Sequence, residues 1–570
     1  MRILAFHPGA HDASAAVFDD YELVAAVQEE RLTRNKGSGD GVPWLAIDEV
    51  LSIAGWTRDD VDAIASTRAF LAPRYLKYPF YKKIDYAIRR RLGKERKQRE
   101  VWRHCQRYRT TDTLSIFNTG LFLAENGFRA DAKFFFANHH AAHALPALFF
   151  TDWDEALVYT ADGIGDNVSY SIRSLKHGRL TCYYGDDRWL LVPPFGNSLA
   201  HAYAFATAAC GFRMLRHEGK LTGLAAYGEP TLAPDIARHF SLDDDGVVTT
   251  KFRGEVELGR ALTDIFRGHS RETIAASIQT AVEDLALKSV CHWLARTGAQ
   301  RLALAGGLFA NVRLNRLLAE QCAVDEVFVF PAMGDDGLAV GAGLSYLFAR
   351  DGVSRWLEHR RRLDHVYLGR DYDKEIDRHL GAAQGVQRIP GAPAKIAAEK
   401  IIAGEVGAAY IGRMEYGPRA LGARSILASP QKGEINDQLN KRLERSEFMP
   451  FAPYVLEEDC ETVFEITRVN RYASRFMTIT CAVRPEWRER IPAVVHVDDT
   501  ARPQIIRDRD NPIYADILRR FRAATGLPVL VNTSFNVHEE PIVNAPAEAL
   551  RALLDRRIDF VVTKQAVYTL

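Results

Sequence analysis

The sequence predicts an α/β protein in which one strand-and-hairpin unit occurs twice and a smaller α/β region follows. Three observations predict it. An apolar strand, a turn containing Gly and Asp, and a hairpin run from Ile3, and the same succession begins again at Ala156. A long helix-periodic segment then feeds a strand that ends in Gly306-Gly307. At 570 residues the chain exceeds what one hydrophobic core accommodates, so two or three domains are expected.

In chain order, the first strand is 3–6, and Gly9 and Asp12 lie in the turn after it. The apolar run 13–18, the hairpin turn Asp19-Asp20 and the strand 23–27 complete the first unit. In the second unit the strand is 156–160, the turn is Asp-Gly-Ile-Gly-Asp at 162–166, and 169–174 pairs with 180–184 around His177-Gly178. This duplicate is the pattern of an actin-like or sugar-kinase-like fold. Its turns place small residues and backbone N–H groups where a phosphate chain approaches. Residues 74–103, between the repeats, are strongly basic with Tyr75, Tyr78, Phe80 and Tyr81 interleaved. Asp85, Glu95 and Glu100 dilute that charge, so the stretch reads as a solvated helical insertion rather than as a contact for an anionic partner.

Apolar residues at Ile278, Val282, Leu285, Leu287, Val290 and Leu294 predict an amphipathic helix over 276–297. Strands are expected at 302–304 and 327–330; the second runs into Gly334-Asp335-Asp336-Gly337 and a Gly/Ala-rich helix over 339–346. Residues 357–373, rich in Arg and His, read as a connector. Beyond it come a helix over 394–403, a strand over 406–411, a strand over 529–532, a polar turn, and a helix over 547–555.

Composition is that of a globular protein, 47% hydrophobic and 26% charged. A net charge of +1 supplies no field towards nucleic acid, which is not expected as a partner. Seven scattered cysteines without a CxxC pair argue against a disulfide framework. The first apolar stretch is interrupted by Pro8, Gly9, His11 and Asp12, and no run reaches the ~18 residues of a membrane span. A cytoplasmic location without a membrane span is expected.

Among candidate sites, Asn138-His139-His140-Ala141-Ala142-His143 puts His139 and His143 on one helical face, where two imidazoles can converge on one ion. Asp162 and the pair Asp335-Asp336 follow strands in Gly-containing turns and could add oxygen ligands. A packed histidine pair is the alternative. Gly306-Gly307, with Asn311 downstream, fits a phosphate- or ribose-side loop, though not a P-loop. Lys220 lies between Gly219 and Gly223, in reach of a phosphate or in a surface turn. Arg419 and Arg424 flank Gly422, and Arg502 stands before Pro503. Guanidinium groups so placed suit carboxylate, phosphate or carbamoyl phosphate. Ser534 and Asn536 follow a strand, where α/β domains bind ligands.

HDASAA at 11–16, EERLTRNK at 29–36, NHHAAHA at 138–144, ADGIGD at 161–166, EGKLTGLAAYG at 218–228, AGGLFAN at 305–311, GPRALGARS at 417–425, FMPFAP at 448–453, ARPQ at 501–504 and VNTSFN at 531–536 occur in this order. The set closely resembles the O-carbamoyltransferases that act on nodulation factors and on antibiotics such as tobramycin, novobiocin and cephamycins.

That resemblance implies a domain over 1–370 like the tRNA threonylcarbamoyl transferase and a YrdC-like domain over 371–570, with a return of the final stretch to the first. It implies ATP and a divalent ion as cofactors, with Fe2+ favoured and Mg2+ a further candidate. Its substrates would be carbamoyl phosphate and a hydroxyl-bearing small molecule or saccharide. Metal ligands would be His139, His143, Asp162 and one of Asp335 and Asp336, the pattern favouring Asp335. His139, Asp162 and Lys220 would be catalytic, with Gly163, Gly306, Gly307 and Asn311 near the nucleotide. Arg419, Arg424, Arg445, Arg502, Ser534 and Asn536 would surround carbamoyl phosphate or the adenylate made from it. Leu443 and Met449 stand where the family often has Lys and Arg, leaving Lys441 or Arg442 as substitutes. A tRNA threonylcarbamoyladenosine enzyme and a sugar kinase are the alternative functions.

Overall fold

The computed structural model describes residues 1–39, 41–78, 99–192, 196–444 and 450–570. Most of the basic stretch 74–103 lies outside them.

Strands β1 (Arg2–His7), β2 (Ser14–Asp19), β3 (Glu22–Gln28), β4 (Ala63–Thr67) and β5 (Lys133–Ala137) form one sheet in the order β3-β2-β1-β4-β5. Strands β6 (Ala156–Gly165), β7 (Val168–Lys176), β8 (Arg179–Tyr184), β9 (Arg301–Ala305) and β10 (Glu326–Val329) form a second, ordered β8-β7-β6-β9-β10. In each, the first three strands are antiparallel and the last two parallel to the central one. The same order and the same directions twice over define a duplicated actin/sugar-kinase-like α/β fold.

The central strands are apolar almost without alternation because both faces are covered. Between the sheets lie α2 (His139–Phe149), which follows the short α1 (Glu30–Thr33), and α6 (Leu338–Glu358), kinked at Gly352. Their backbones nearly touch: a Cβ on Gly341 would meet the Ala142 carbonyl oxygen at 1.7 Å. Glycine there is what brings α2 close to the loops of both sheets. Flanking them are α3 (Glu218–Leu224), α4 (Arg271–Thr297) and α5 (Val312–Gln321). The helix expected from 276 starts at Arg271, where Ser270 Oγ accepts the Thr273 N–H at 3.2 Å. Apolar periodicity does not register so polar a first turn. The expected turn at 162–166 is instead mostly strand: β6 continues to Gly165 with an irregular register after Ala161, and the reversal falls on Asp166 and Asn167.

The remaining strands, β11 (Gln387–Ile389), β12 (Gly407–Tyr410), β13 (Arg424–Ala428), β14 (Ala452–Leu456), β15 (Gln504–Ile506), β16 (Val529–Ser534), β17 (Phe560–Val562) and β18 (Val567–Thr569), make one mixed sheet, β11-β18-β17-β12-β13-β16-β14-β15. It has its own apolar core, to which α7 (Pro393–Ile402) and α8 (Pro512–Thr525) contribute. The 357–373 region is more than a connector, since Tyr367–Asp371 pairs with Arg413–Glu415. Polar bonds join this part to the first two sheets, among them Tyr472 Oη to the Phe150 carbonyl at 2.6 Å and Asn315 Nδ2 to the Thr478 carbonyl at 2.7 Å. No helix among the described residues is long and apolar enough to cross a membrane.

Candidate metal centre and anion cavity

Asn138 caps α2 by accepting the Ala141 N–H at 2.9 Å, which fixes His139 and His143 on the helix face towards β6. The two Nε2 atoms are 3.2 Å apart, and Asp162 Oδ2 lies 3.1 Å from His139 and 3.3 Å from His143. Asp335 Oδ1 is buried 3.6 and 3.4 Å from the same nitrogens. One ligand atom from each of the four lies within 4.8 Å of the others. Ligand bonds of ~2.1 Å give neighbouring donors a separation of about 3.0 Å in octahedral and 3.4 Å in tetrahedral geometry, so the spacing fits one cation. Two imidazoles with two carboxylates suit a first-row transition ion.

Asp335 alone of the Asp pair belongs to this cluster. Asp336 turns away to accept Gln28 Nε2 at 2.9 Å. Burial, reinforced by Asp12 and Glu30, pushes its carboxyl up to about 8. Burial works against a charged His143, but its bonds to Asp162 and Asp335 outweigh that and raise it to about 9. Asp162 is correspondingly held well below the carboxylate range, with burial opposing and the two histidines prevailing. His7, pushed down to about 4 mainly by burial, has its Nε2 3.7 Å from Asp335 Oδ2. The pair His7 and His11 in the first turn is the sequence signal that points to it.

The glycines hold the ligands. Gly307 N–H donates to Asp162 Oδ1 at 3.1 Å, and Gly306, at φ 100°, lies against the Ala161 carbonyl. Gly163 backs onto His201 and Gly165 onto the His139 ring. Asn311 is committed elsewhere: it caps α5 through the Leu314 N–H at 3.1 Å and bonds Gln279 at 2.9 Å. It does not line the cavity described next.

A cavity of about 300 Å³ opens between the duplicated part and the C-terminal sheet. Lys220, Arg419, Arg502, Ser534 and Asn536 all line it. So do Lys36, Arg216 and Arg313, which are not among the residues expected from sequence. Lys36 closes the quoted 29–36 motif and was the available signal. Burial lowers Arg419 to about 10, against the pull of Asp336. Its loop is held by Glu415, whose Oε1 accepts the N–H groups of Leu421, Ala423 and Arg424 at 2.8, 2.8 and 3.1 Å. Ser534 Oγ donates to Asn536 Oδ1 at 2.6 Å, shaping the opposite wall.

Arg424 is not part of this wall. Fully buried, it stacks on Tyr410 at 3.7 Å and donates to the carbonyls of Ile411, Ala423 and Gly412. Of the expected substitutes for the missing family cations, Arg442 pairs with Asp559 at 3.0 Å and neither it nor Lys441 lines the cavity, while Leu443 is in the core. Arg445 and Met449 lie outside the described residues.

Contacts between the loops link the two sites. Tyr416 Oη donates to the Asp336 carbonyl, and Arg419 reaches the Ala310 carbonyl three residues past Gly307. Such a molecule is a duplicated actin/sugar-kinase-like enzyme carrying a cluster fit for a metal ion linked to a cationic cavity. The chain belongs to the carbamoyltransferase family: its residues 2–344 match the family's N-terminus and 398–569 its C-terminus. It is 33% identical to nodulation protein NolNO of Sinorhizobium fredii over 97% of this chain and 78% of that one. Nodulation protein NolO of Bradyrhizobium diazoefficiens is 34% identical over 75% of this chain and 77% of its own. Among solved structures the chain is similar to the ROK hexokinase of Thermus thermophilus (14% identity, 62% of this chain, 100% of that one, TM-score 0.33).

Proposed function

We propose that this carbamoyltransferase is ATP-dependent, takes its carbamoyl group from carbamoyl phosphate, and delivers it to a hydroxyl of a saccharide or other small molecule. The observation that carries the reading is the link of a cavity lined by Lys36, Lys220, Arg419 and Arg502 to the His139-His143-Asp162-Asp335 cluster. Carbamoyl phosphate and ATP are both polyanions, so activation needs cations, and transfer needs a group that stabilises charge on the carbamoyl oxygen.

Atoms balance with one water. Carbamoyl phosphate and water give carbamate and phosphate; a carbamate oxygen attacks the α-phosphorus of ATP, expelling pyrophosphate and leaving carbamoyl adenylate. Arg419, Arg502 and Lys220 hold the phosphoryl oxygens in this step. The acceptor oxygen then attacks the carbamoyl carbon, AMP leaves, and the hydroxyl proton passes to a carboxylate or imidazole. An ion held by His139, His143, Asp162 and Asp335 would supply Lewis-acid stabilisation, and the imidazoles favour Fe2+ over Mg2+. A labile adenylate favours passage between linked sites without release.

Incubation with ATP and carbamoyl phosphate tests this. Pyrophosphate release dependent on both substrates supports it; ADP formed from ATP as a sugar is phosphorylated supports a kinase and sinks it. Mass spectrometry of metabolites and glycans from a strain lacking the protein identifies the acceptor by the loss of one carbamoyl substituent.

A further inference from the structure

Of the 29–36 segment only Lys36 lines the cavity, yet its neighbours tie the two sites together. Gln28, which bonds Asp336, leads directly into α1. There Glu30 pairs with Arg31 at 2.7 Å. Arg31 is 3% exposed and donates from Nη2 to the Gly417 carbonyl at 2.8 Å. Tyr416, one residue earlier, donates to the carbonyl of Asp336. These contacts close a ring through the 334–337 turn, residues 28–31 and the loop that continues into Pro418 and Arg419. Arg34 keeps the segment seated on the C-terminal part, donating to the carbonyls of Ile542 and Pro541 at 2.8 and 2.7 Å. Neither Arg31 nor Arg34 lines the cavity.

We infer that Arg31, with Tyr416, is a positioning residue that links ion binding at the His139-His143-Asp162-Asp335 cluster to anion binding in the cavity. The inference rests on the reading of the two sites given above. Without an ion, Asp335 ties the 334–337 turn to the cluster only through its 3.6 and 3.4 Å contacts with the two imidazoles, which leaves the turn less firmly held. An ion draws the turn in. The Tyr416 bond and the Arg31 fork carry that position to Pro418 and Arg419, so the donor meets an ordered wall. Linkage of this kind is reciprocal.

The test is calorimetric titration of the full-length protein with carbamoyl phosphate, after chelator treatment and again with saturating Mn2+. In the wild type, Mn2+ should lower the Kd for carbamoyl phosphate by ~5- to 150-fold, and carbamoyl phosphate should tighten Mn2+ by the same factor. Arg31→Lys keeps the charge without the fork, and Tyr416→Phe removes only the hydroxyl. Each should still bind both ligands, with a factor near one. His143→Ala controls for Mn2+ pairing directly with phosphate, and a factor that persists there overturns the inference. A wild-type factor of one, or one that survives in both folded variants, also overturns it while the functional reading stands. Failure of carbamoyl phosphate to bind at all defeats both.

Discussion

Gly165→Ala probes the metal cluster through a residue that offers no ligand. A Cβ built on Gly165 lies 2.0 Å from His139 Cδ2, 2.1 Å from Cγ and 2.5 Å from Nε2. Carbon atoms rest at about 3.5 Å, so the ring must retreat by about 1.5 Å. Ion sites hold their ligands to within about 0.2 Å, which places Nε2 beyond use. Neither neighbour can yield easily, because Gly165 ends β6 and His139 is pinned by its backbone N–H to Asp166 Oδ2 at 2.9 Å. Overpacking should cost about 1–3 kcal/mol of stability. Mn2+ affinity should fall at least ~100-fold, the upper range for disturbed ligand support. Equilibrium dialysis with elemental analysis, alongside thermal unfolding in chelator, measures both. Gly163→Ala is the control, since its Cβ meets only the tip of His201 at 2.9 Å and should leave the ion content unchanged. A folded Gly165→Ala protein with wild-type Mn2+ affinity would refute the placement of His139 among the ligands.

Arg419→Ala and Arg502→Ala should each weaken carbamoyl phosphate binding roughly 10- to 150-fold, the equivalent of about 1.5–3 kcal/mol for a charged contact, measured by calorimetry. Arg424→Ala should instead lower thermal stability, by about 2–5 kcal/mol, by stranding three buried carbonyls and opening a hole beside Tyr410; a variant of wild-type stability that no longer binds the donor would place Arg424 in the site after all. Asp336 titrates near 8 in the folded chain against 3.8 otherwise, so the folded state holds its proton more tightly and stability falls as pH rises from about 4 to about 8. Asp336→Asn should flatten that slope in chelator-treated protein, read from Tm between pH 5 and pH 8, and equal slopes would count against a buried protonated Asp336.

How much was legible depended on whether a signal was local. The repeated strand and hairpin could be read because apolar runs and turn residues such as Asp19-Asp20 and His177-Gly178 lie within a few residues of each other. The i, i+4 spacing of His139 and His143 likewise fixes a common helical face. Choosing Asp335 over Asp336 was beyond spacing alone, since both sit in one turn and only Gln28, 308 positions away, claims the second carboxylate. Arg424 illustrates the opposite failure. An arginine beside a glycine in a ligand-type motif looks like an anion grip, yet alternation along β13 turns it into the sheet under Tyr410. Asn311 looked like part of a phosphate loop because capping and ligand binding draw on the same residue types.

The cavity has one wall from residues 36–313 and another from 418–539, joined by a single chain. The walls therefore meet as an intramolecular event, at an effective concentration that a tether of this kind sets in the millimolar range. Their encounter does not depend on how much protein is present. Dilution that would separate two subunits of modest affinity leaves this cavity assembled, so activity per molecule should stay constant down to nanomolar enzyme. Cutting the chain between the walls converts the same seam into a concentration-dependent association.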